Sequence, residues 1–182
     1  MTHKFFKMIF EEQKIKGLFL IKPEPFKDNR GLLRRIYCLN EFKNKKLKFR
    51  IKQTNISENK KIHTLRGFHY QVYPYGEDKI ISCIQGQIHN IVIDMRKKSK
   101  TFMKWKSFNL SENNRLLLKV PKGCANAYLT LKKKTWILYF HSQFYNGKFE
   151  KGIKYNDPKF SFDWPCKPKI ISKKDNTIKL LQ

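Results

Sequence analysis

Apolar and polar residues alternate along most of this chain with a period of two rather than 3.6, the pattern of strands and not of helices. Gly86-Gln87-Ile88-His89-Asn90-Ile91-Val92-Ile93-Asp94 reads as a strand that follows a Gln85-Gly86 turn signal. Leu116-Leu117-Leu118-Lys119-Val120 stops at the tight turn Pro121-Lys122-Gly123, and Ala125-Asn126-Ala127-Tyr128-Leu129-Thr130-Leu131 resumes beyond it. Phe49-Arg50-Ile51-Lys52-Gln53-Thr54-Asn55 alternates cleanly at its start, and residues 135–145 read as a long aromatic strand. Turn signals recur roughly every ten residues, which predicts an all-β sandwich or barrel. Helix signals are weak. Residues 5–14 read as one or two helical turns, and Leu110-Ser111-Glu112-Asn113-Asn114 as a short capped turn.

A chain of 182 residues suits one domain, spanning 1–182. Its final part, about 155–182, contains three prolines and is expected to wrap the sandwich and end in a short helix. An apolar share of 40%, with 15 Phe and 8 Tyr, supplies a real core and excludes a disordered chain. No apolar run is long enough to span a bilayer, so no membrane partner is expected. Charges interrupt the N-terminal stretch, leaving no signal-peptide core, and the simplest location is the cytoplasm. Cys38, Cys83, Cys124 and Cys166 are isolated, without a Cys-x-x-Cys pair, and read as reduced thiols.

Forty Lys and Arg against 14 Asp and Glu give a net charge of +26, which raises a nucleic-acid-binding module as one reading. The lysines are scattered as short clusters at turns and ends, whereas polyanion binding wants one basic stripe. They read as a solvated surface, whose positive field also helps capture a pyrophosphate-bearing small molecule. No nucleic-acid partner is expected.

The chemistry concentrates in Thr64-Leu65-Arg66-Gly67-Phe68-His69-Tyr70-Gln71. It sets a guanidinium, a glycine and an imidazole close together, and Lys79 opens the next apolar strand ten residues past His69. On adjoining strands, these groups offer a base, a fixed positive charge and a second cation. Such a set can remove a proton beside a carbonyl and hold the enolate. Taken alone, His69 reads as an imidazole hydrogen-bonded inside a barrel, but Arg66 and Lys79 favour an anionic ligand, because buried cations are rarely kept without one. Tyr139 reads as a core tyrosine or as a general acid aimed at the same cavity. Asp175 reads as a surface or cap residue, or as the carboxylate that orients His69.

Pro121-x-Gly123-x-x-Asn126 resembles the second half of a cupin metal motif, with asparagine where a ligand histidine would stand. The first half reads His69-Tyr70-Gln71, with Glu77 further on, so two imidazole ligands are absent and no metal is expected.

The landmarks run in a specific order. They are Phe26-x-Asp28-x-Arg30-Gly31, Gln53-x-Asn55-x-Ser57, Leu65-Arg66-Gly67-Phe68-His69-Tyr70-Gln71, Lys79 and Gly86. Asp94-Met95-Arg96-x-x-Ser99-x-Thr101-Phe102, Pro121-x-Gly123, Tyr139, Asn156-Asp157-Pro158, Trp164-Pro165 and Ser172-Lys173-Lys174-Asp175 follow. In this order and spacing the chain resembles the dTDP-4-dehydrorhamnose 3,5-epimerase family of the cupin superfamily over nearly its full length. The resemblance implies a cupin-type jelly roll with short peripheral helices, without metal or cofactor, and a homodimer that exchanges an N-terminal strand. It implies a nucleotide-linked 4-keto sugar as substrate, with His69 as base, Asp175 supporting it, Lys79 on the enolate oxygen and Tyr139 as acid on the opposite face. Arg30, Gln53, Asn55, Arg66, Asn126, Glu150 and Lys174 fall at substrate-contacting positions.

The chain departs from the family at Arg35, where a glutamate is usual, at Leu32-Leu33, and at Asn126-Ala127-Tyr128 in place of His-Gly-Phe. These changes touch nucleotide and sugar recognition more than the base or acid. They leave room for a GDP-linked 4-keto heptose or hexose and for reaction at C3 alone. The rival readings are a nucleotide-sugar 3,4-ketoisomerase and a metal-dependent cupin enzyme.

Overall fold

A computed structural model describes residues 7–181. Among these residues the chain opens with β1 (Met8–Glu12), β2 (Phe19–Pro23), β3 (Phe26–Asp28), β4 (Gly31–Leu33) and helix α1 (Leu39–Asn44). It continues through β5 (Gln53–Asn59), β6 (Leu65–Gln71), β7 (Lys79–Gln85), β8 (Gln87–Asp94) and β9 (Trp105–Ser111). Then come β10 (Leu117–Val120), β11 (Cys124–Thr130), β12 (Thr135–His141), β13 (Glu150–Gly152) and helix α2 (Lys173–Asn176). A six-stranded sheet, ordered β1-β2-β10-β7-β12-β5, faces a five-stranded sheet, ordered β13-β6-β11-β8-β9, and β3 and β4 form a separate hairpin. This is the expected all-β jelly roll with short peripheral helices.

Period-two alternation sorts the side chains. Ile81 and Cys83 of β7, Leu118 and Val120 of β10, and Ile88 and Val92 of β8 point inward. With Phe108, Leu110, Tyr128 and Ile137 they form the core between the sheets. The intervening residues are not solvated, because both outer faces are covered. Ile80 and Leu117 pack outward against Phe42 of α1 and Phe49, while Phe68, Ile91, Ile93, Ala125 and Ala127 pack against Ile153 and Phe160. Strand β7 is therefore apolar through Ile80-Ile81 without losing its alternation.

The C-terminal segment is tied down by named bonds. Trp105 Nε1 donates to the Phe160 carbonyl and Trp164 Nε1 to the Tyr155 carbonyl, each at 2.8 Å. Farther on, Leu65 N donates to the Ile170 carbonyl at 2.8 Å, and Thr64 and Ile170 form a parallel bridge. That bridge brings α2 beside the start of β6.

Four local expectations change. The helical turns expected within residues 5–14 are strand β1 from Met8 to Glu12, because a five-residue ladder with β2 overrides a weak local preference; Phe5 and Phe6 lie outside the described residues. Regular pairing of the segment from Phe49 begins only at Gln53, since Phe49 and Ile51 pack over the outer face instead. Strand β12 ends at His141, where Ser142 turns to accept the Asp78 N–H at 2.8 Å. Lastly, β6 and β7 do not adjoin. The intervening residues 72–78 cross from one sheet to the other, so His69 and Lys79 face each other across the sandwich.

Candidate active site

Between the two sheets, at the end where residues 72–78 cross, lies a cavity of about 560 Å³. That volume is in the range of small-molecule sites. His69, Arg66 and Asn126 line it from the five-stranded sheet, and Lys79, Tyr139, His141 and Asn55 from the six-stranded sheet.

Arg66 and His69 share the cavity through a bulge. Strict alternation over three residues would put them on opposite faces. Asn126 pairs with His69 and Tyr128 with Arg66, so three steps along β6 oppose two along β11. Gly67 makes this possible. Its φ is +104°, and a Cβ there would sit 2.5 Å from the Asn126 carbonyl oxygen and 2.8 Å from Ala127 Cα. Arg66 Nε then donates to Asn59 Oδ1 at 2.9 Å.

Asp175 arrives from α2, which Ser172 caps by accepting the Asp175 N–H at 3.0 Å. The carboxylate is 3% exposed. One oxygen lies 2.9 Å from His69 Nε2 and the other accepts the Gly67 N–H at 3.1 Å. Burial raises its pKa, but the His69 hydrogen bond and charge outweigh burial and hold it below the usual carboxylate range. An ionised carboxylate only accepts, so Nε2 carries a proton, and in the neutral imidazole Nδ1 keeps the lone pair. Nδ1 is 4.0 Å from Glu150 Oε1, too far for a hydrogen bond, and is left as the basic atom. The other Glu150 oxygen is held by Lys174 and by the Tyr145 hydroxyl at 3.4 Å.

Across the cavity, burial and the neighbouring Tyr128 hold the Tyr139 phenol well above its ordinary value, so it keeps its proton at neutral pH. Lys79 is 8% exposed. Its ammonium lies 3.3 Å from the His69 carbonyl, 3.4 Å from Asn126 Oδ1 and 3.4 Å from Glu77 Oε1. All three contacts are long for charge-assisted bonds, which leaves the ammonium reach toward a further oxygen.

Of the residues singled out in the sequence, His69, Tyr139, Asp175, Lys79, Asn55, Arg66, Asn126, Glu150 and Lys174 line this one cavity. Arg30 does not. It sits on the β3–β4 hairpin, paired with Asp28, its side chain 83% exposed. Gln53 also lies outside the lining, where its Oε1 accepts the N–H of cavity-lining Tyr145 at 3.2 Å. Sequence reasoning missed Glu77, Tyr128, His141 and Tyr145 as site residues. His141 was accessible, because period-two spacing puts it on the same face as Tyr139. Among the described residues no group of three or more His, Cys, Asp or Glu side chains is placed to hold a metal ion.

The two facing sheets, with this cavity between them, define a cupin-type jelly roll. A family model described as dTDP-4-dehydrorhamnose 3,5-epimerase matches residues 12–182, and the chain belongs to that family. It is 32% identical to the dTDP-4-dehydrorhamnose 3,5-epimerase of Sinorhizobium fredii over 93% of this chain and 88% of that protein. The crystal structure of the Bacillus anthracis enzyme with TDP and PPi bound matches with a TM-score of 0.93 and 31% identity, covering 96% of this chain and 100% of that one. A Legionella pneumophila 3,5-epimerase in complex with dTDP-4-keto-L-rhamnose matches with a TM-score of 0.90 and 28% identity, covering 96% and 93%.

Proposed function

We propose that this protein is a cofactor-independent epimerase acting in the cytoplasm on a nucleotide-linked 4-keto sugar, inverting C3 or both C3 and C5. The observation that carries the reading is the disposition of His69 and Tyr139 on opposite sheets of one cavity, with Lys79 between the sheets. Family membership supports it.

A 4-keto group acidifies the C–H bonds on either side of it. His69 Nδ1 takes the C3 proton, the C–H electron pair moves into the ring, and the carbonyl becomes an enolate. The Lys79 ammonium meets the negative charge on oxygen, in a site where a fixed donor is worth more than in water. The Tyr139 phenol then delivers its proton to the opposite face of C3, leaving a phenolate that regains a proton from solvent as His69 loses one. The same cycle at C5 completes a double inversion. Base catalysis of this kind contributes roughly 10²–10⁴-fold. Arg66, Asn55 and Asn126 are positioned to bind sugar oxygens, and Lys174 to face the diphosphate.

We also propose a homodimer. Its support is that Arg30, at a substrate-contacting position of the family, lies outside the cavity of its own chain, on a hairpin that exposes Leu33. Light scattering after gel filtration should read twice the 22.0 kDa chain mass; a monomer fully active at nanomolar concentration would reject the dimer.

The test of the activity is incubation in heavy water with dTDP- and GDP-linked 4-keto sugars. Deuterium at C3, or at C3 and C5, with an inverted product supports the reading and settles both nucleotide and site. A product whose carbonyl has moved to C3 means a ketoisomerase, and no exchange on either sugar refutes the reading.

A further inference from the structure

Glu77 is buried, and neither the base nor the acid step uses it. Burial raises its pKa, yet the hydrogen bond from His141 and the charge of Lys79 outweigh burial and hold it below the ordinary carboxylate range. It is therefore an anion, and its two oxygens are shared unequally. Oε2 lies 2.8 Å from His141 Nδ1, the length of a charge-assisted bond, whereas Oε1 lies 3.4 Å from Lys79 Nζ. A carboxylate only accepts, so His141 carries a proton on Nδ1, and in the neutral ring Nε2 is an acceptor. Asn55 Nδ2 sits 3.5 Å from that Nε2. The ring also stacks on Tyr139, with centroids 5.7 Å apart and planes at 24°.

We propose that His141 is a positioning residue which, by taking one oxygen of Glu77, keeps Lys79 loosely shared and so sets the positive potential on the substrate's keto oxygen. The argument rests on the 4-keto-sugar reading above. Glu77 is the counter-ion that competes with an enolate for the Lys79 ammonium. Without His141, its second oxygen has lost a donor in a pocket where its side chain is only 6% exposed. The nearest cation it can turn to is Lys79, 3.4 Å away. Closing that contact to the ~2.8 Å of a charge-assisted bond draws the ammonium off the keto oxygen. Asn126 Oδ1 and the His69 carbonyl, both neutral and at 3.3–3.4 Å, do not offer comparable competition.

The test pairs two substitutions on whichever 4-keto nucleotide sugar the wild type exchanges. His141→Phe keeps a ring against Tyr139 but cannot donate to Glu77. In His141→Asn, the amide nitrogen stands where Nδ1 does and can restore the bond. The expected result for His141→Phe is a fall of roughly tenfold in kcat for C–H exchange with KM within about twofold, since the interaction acts on the developing oxyanion. His141→Asn should retain roughly half the wild-type rate or more. In a Glu77→Gln background, His141→Phe should add less than about twofold, because the two residues act through one another.

Equal losses in the Phe and Asn variants, or an undiminished His141→Phe effect without the Glu77 charge, overturn the proposal. A second readout does not depend on turnover. Nitrogen-15 NMR of the imidazoles, assigned with His141→Asn, should show His141 protonated at Nδ1. A ring protonated only at Nε2 refutes the inference whether or not a substrate is found. A wild type that exchanges no substrate while His141 is protonated at Nδ1 would defeat the epimerase reading alone.

Discussion

Asp175→Asn is the perturbation that isolates the orientation of the base. The wild-type carboxylate accepts on both sides, from Gly67 N at 3.1 Å and from His69 Nε2 at 2.9 Å. An asparagine amide can accept on one side only. If its oxygen keeps the Gly67 N–H, its NH2 faces the imidazole, and His69 must turn Nε2 into an acceptor by moving its proton to Nδ1. That is the atom assigned to take the substrate proton. A misplaced tautomer of this kind in a carboxylate–histidine pair costs on the order of 10³–10⁴ in kcat. The structural loss is much smaller, because the Gly67 bond survives and only a charge-assisted bond is weakened, for about 1–2 kcal/mol. In a chain of this length that lowers Tm by roughly 3–6 °C. Deuterium exchange at C3 measures the first effect and thermal melting the second. A variant that melts as expected but exchanges within threefold of wild type would refute the tautomer argument.

Gly67→Ala is expected to destabilise by about 3 kcal/mol or more in urea titrations, since the new Cβ meets backbone at 2.5 and 2.8 Å in a left-handed conformation. Burial pushes the thiols of Cys83 and Cys124 up to about 12, so a disulfide reagent at pH 8 should titrate no more than Cys38 and Cys166 until the protein is unfolded. In Asp94, Asp175 and Glu77, burial raises the carboxyl pKa, but hydrogen bonds and nearby cations outweigh it and hold all three below their ordinary values. For Asp94 the outweighing bonds come from Arg96, Ser99 and Thr101. The stability they contribute is complete above roughly pH 4–5 and is lost as pH falls through the lower folded values. The urea midpoint should therefore begin to fall below about pH 5 and keep falling as pH drops past 3, and a midpoint unchanged at pH 3 would contradict the assignment.

Much of this fold is legible in strand-length runs set between turn signals. Strands β8 and β11 follow the firm signals Gln85-Gly86 and Pro121-Lys122-Gly123 and form as expected, while Ile91-Val92-Ile93 breaks strict alternation because both faces of β8 are buried. The N-terminal strand is not legible, because its ladder with β2 is a tertiary event that its own residues do not announce. The expected grouping of His69 with Lys79 holds, since both line one cavity, but the expected adjoining strands do not. Ten residues suggest neighbouring strands, whereas the connection crosses between sheets, and the crossing is what creates opposing walls. Asp175 reaches His69 from 106 positions away because Ile170 bridges Thr64, a long-range contact that no local pattern encodes. The bulge at Gly67 likewise defeats simple parity, which would separate Arg66 from His69.

The division of labour between the two walls is best measured by comparing His69→Asn with Tyr139→Phe in heavy water, scoring deuterium uptake and inversion at C3 separately. His69→Asn should lose both, by roughly 10²-fold or more. Tyr139→Phe should keep uptake from the His69 face while losing inversion. A Tyr139→Phe variant that loses uptake as completely as inversion, or a His69→Asn variant that still exchanges, would contradict the account.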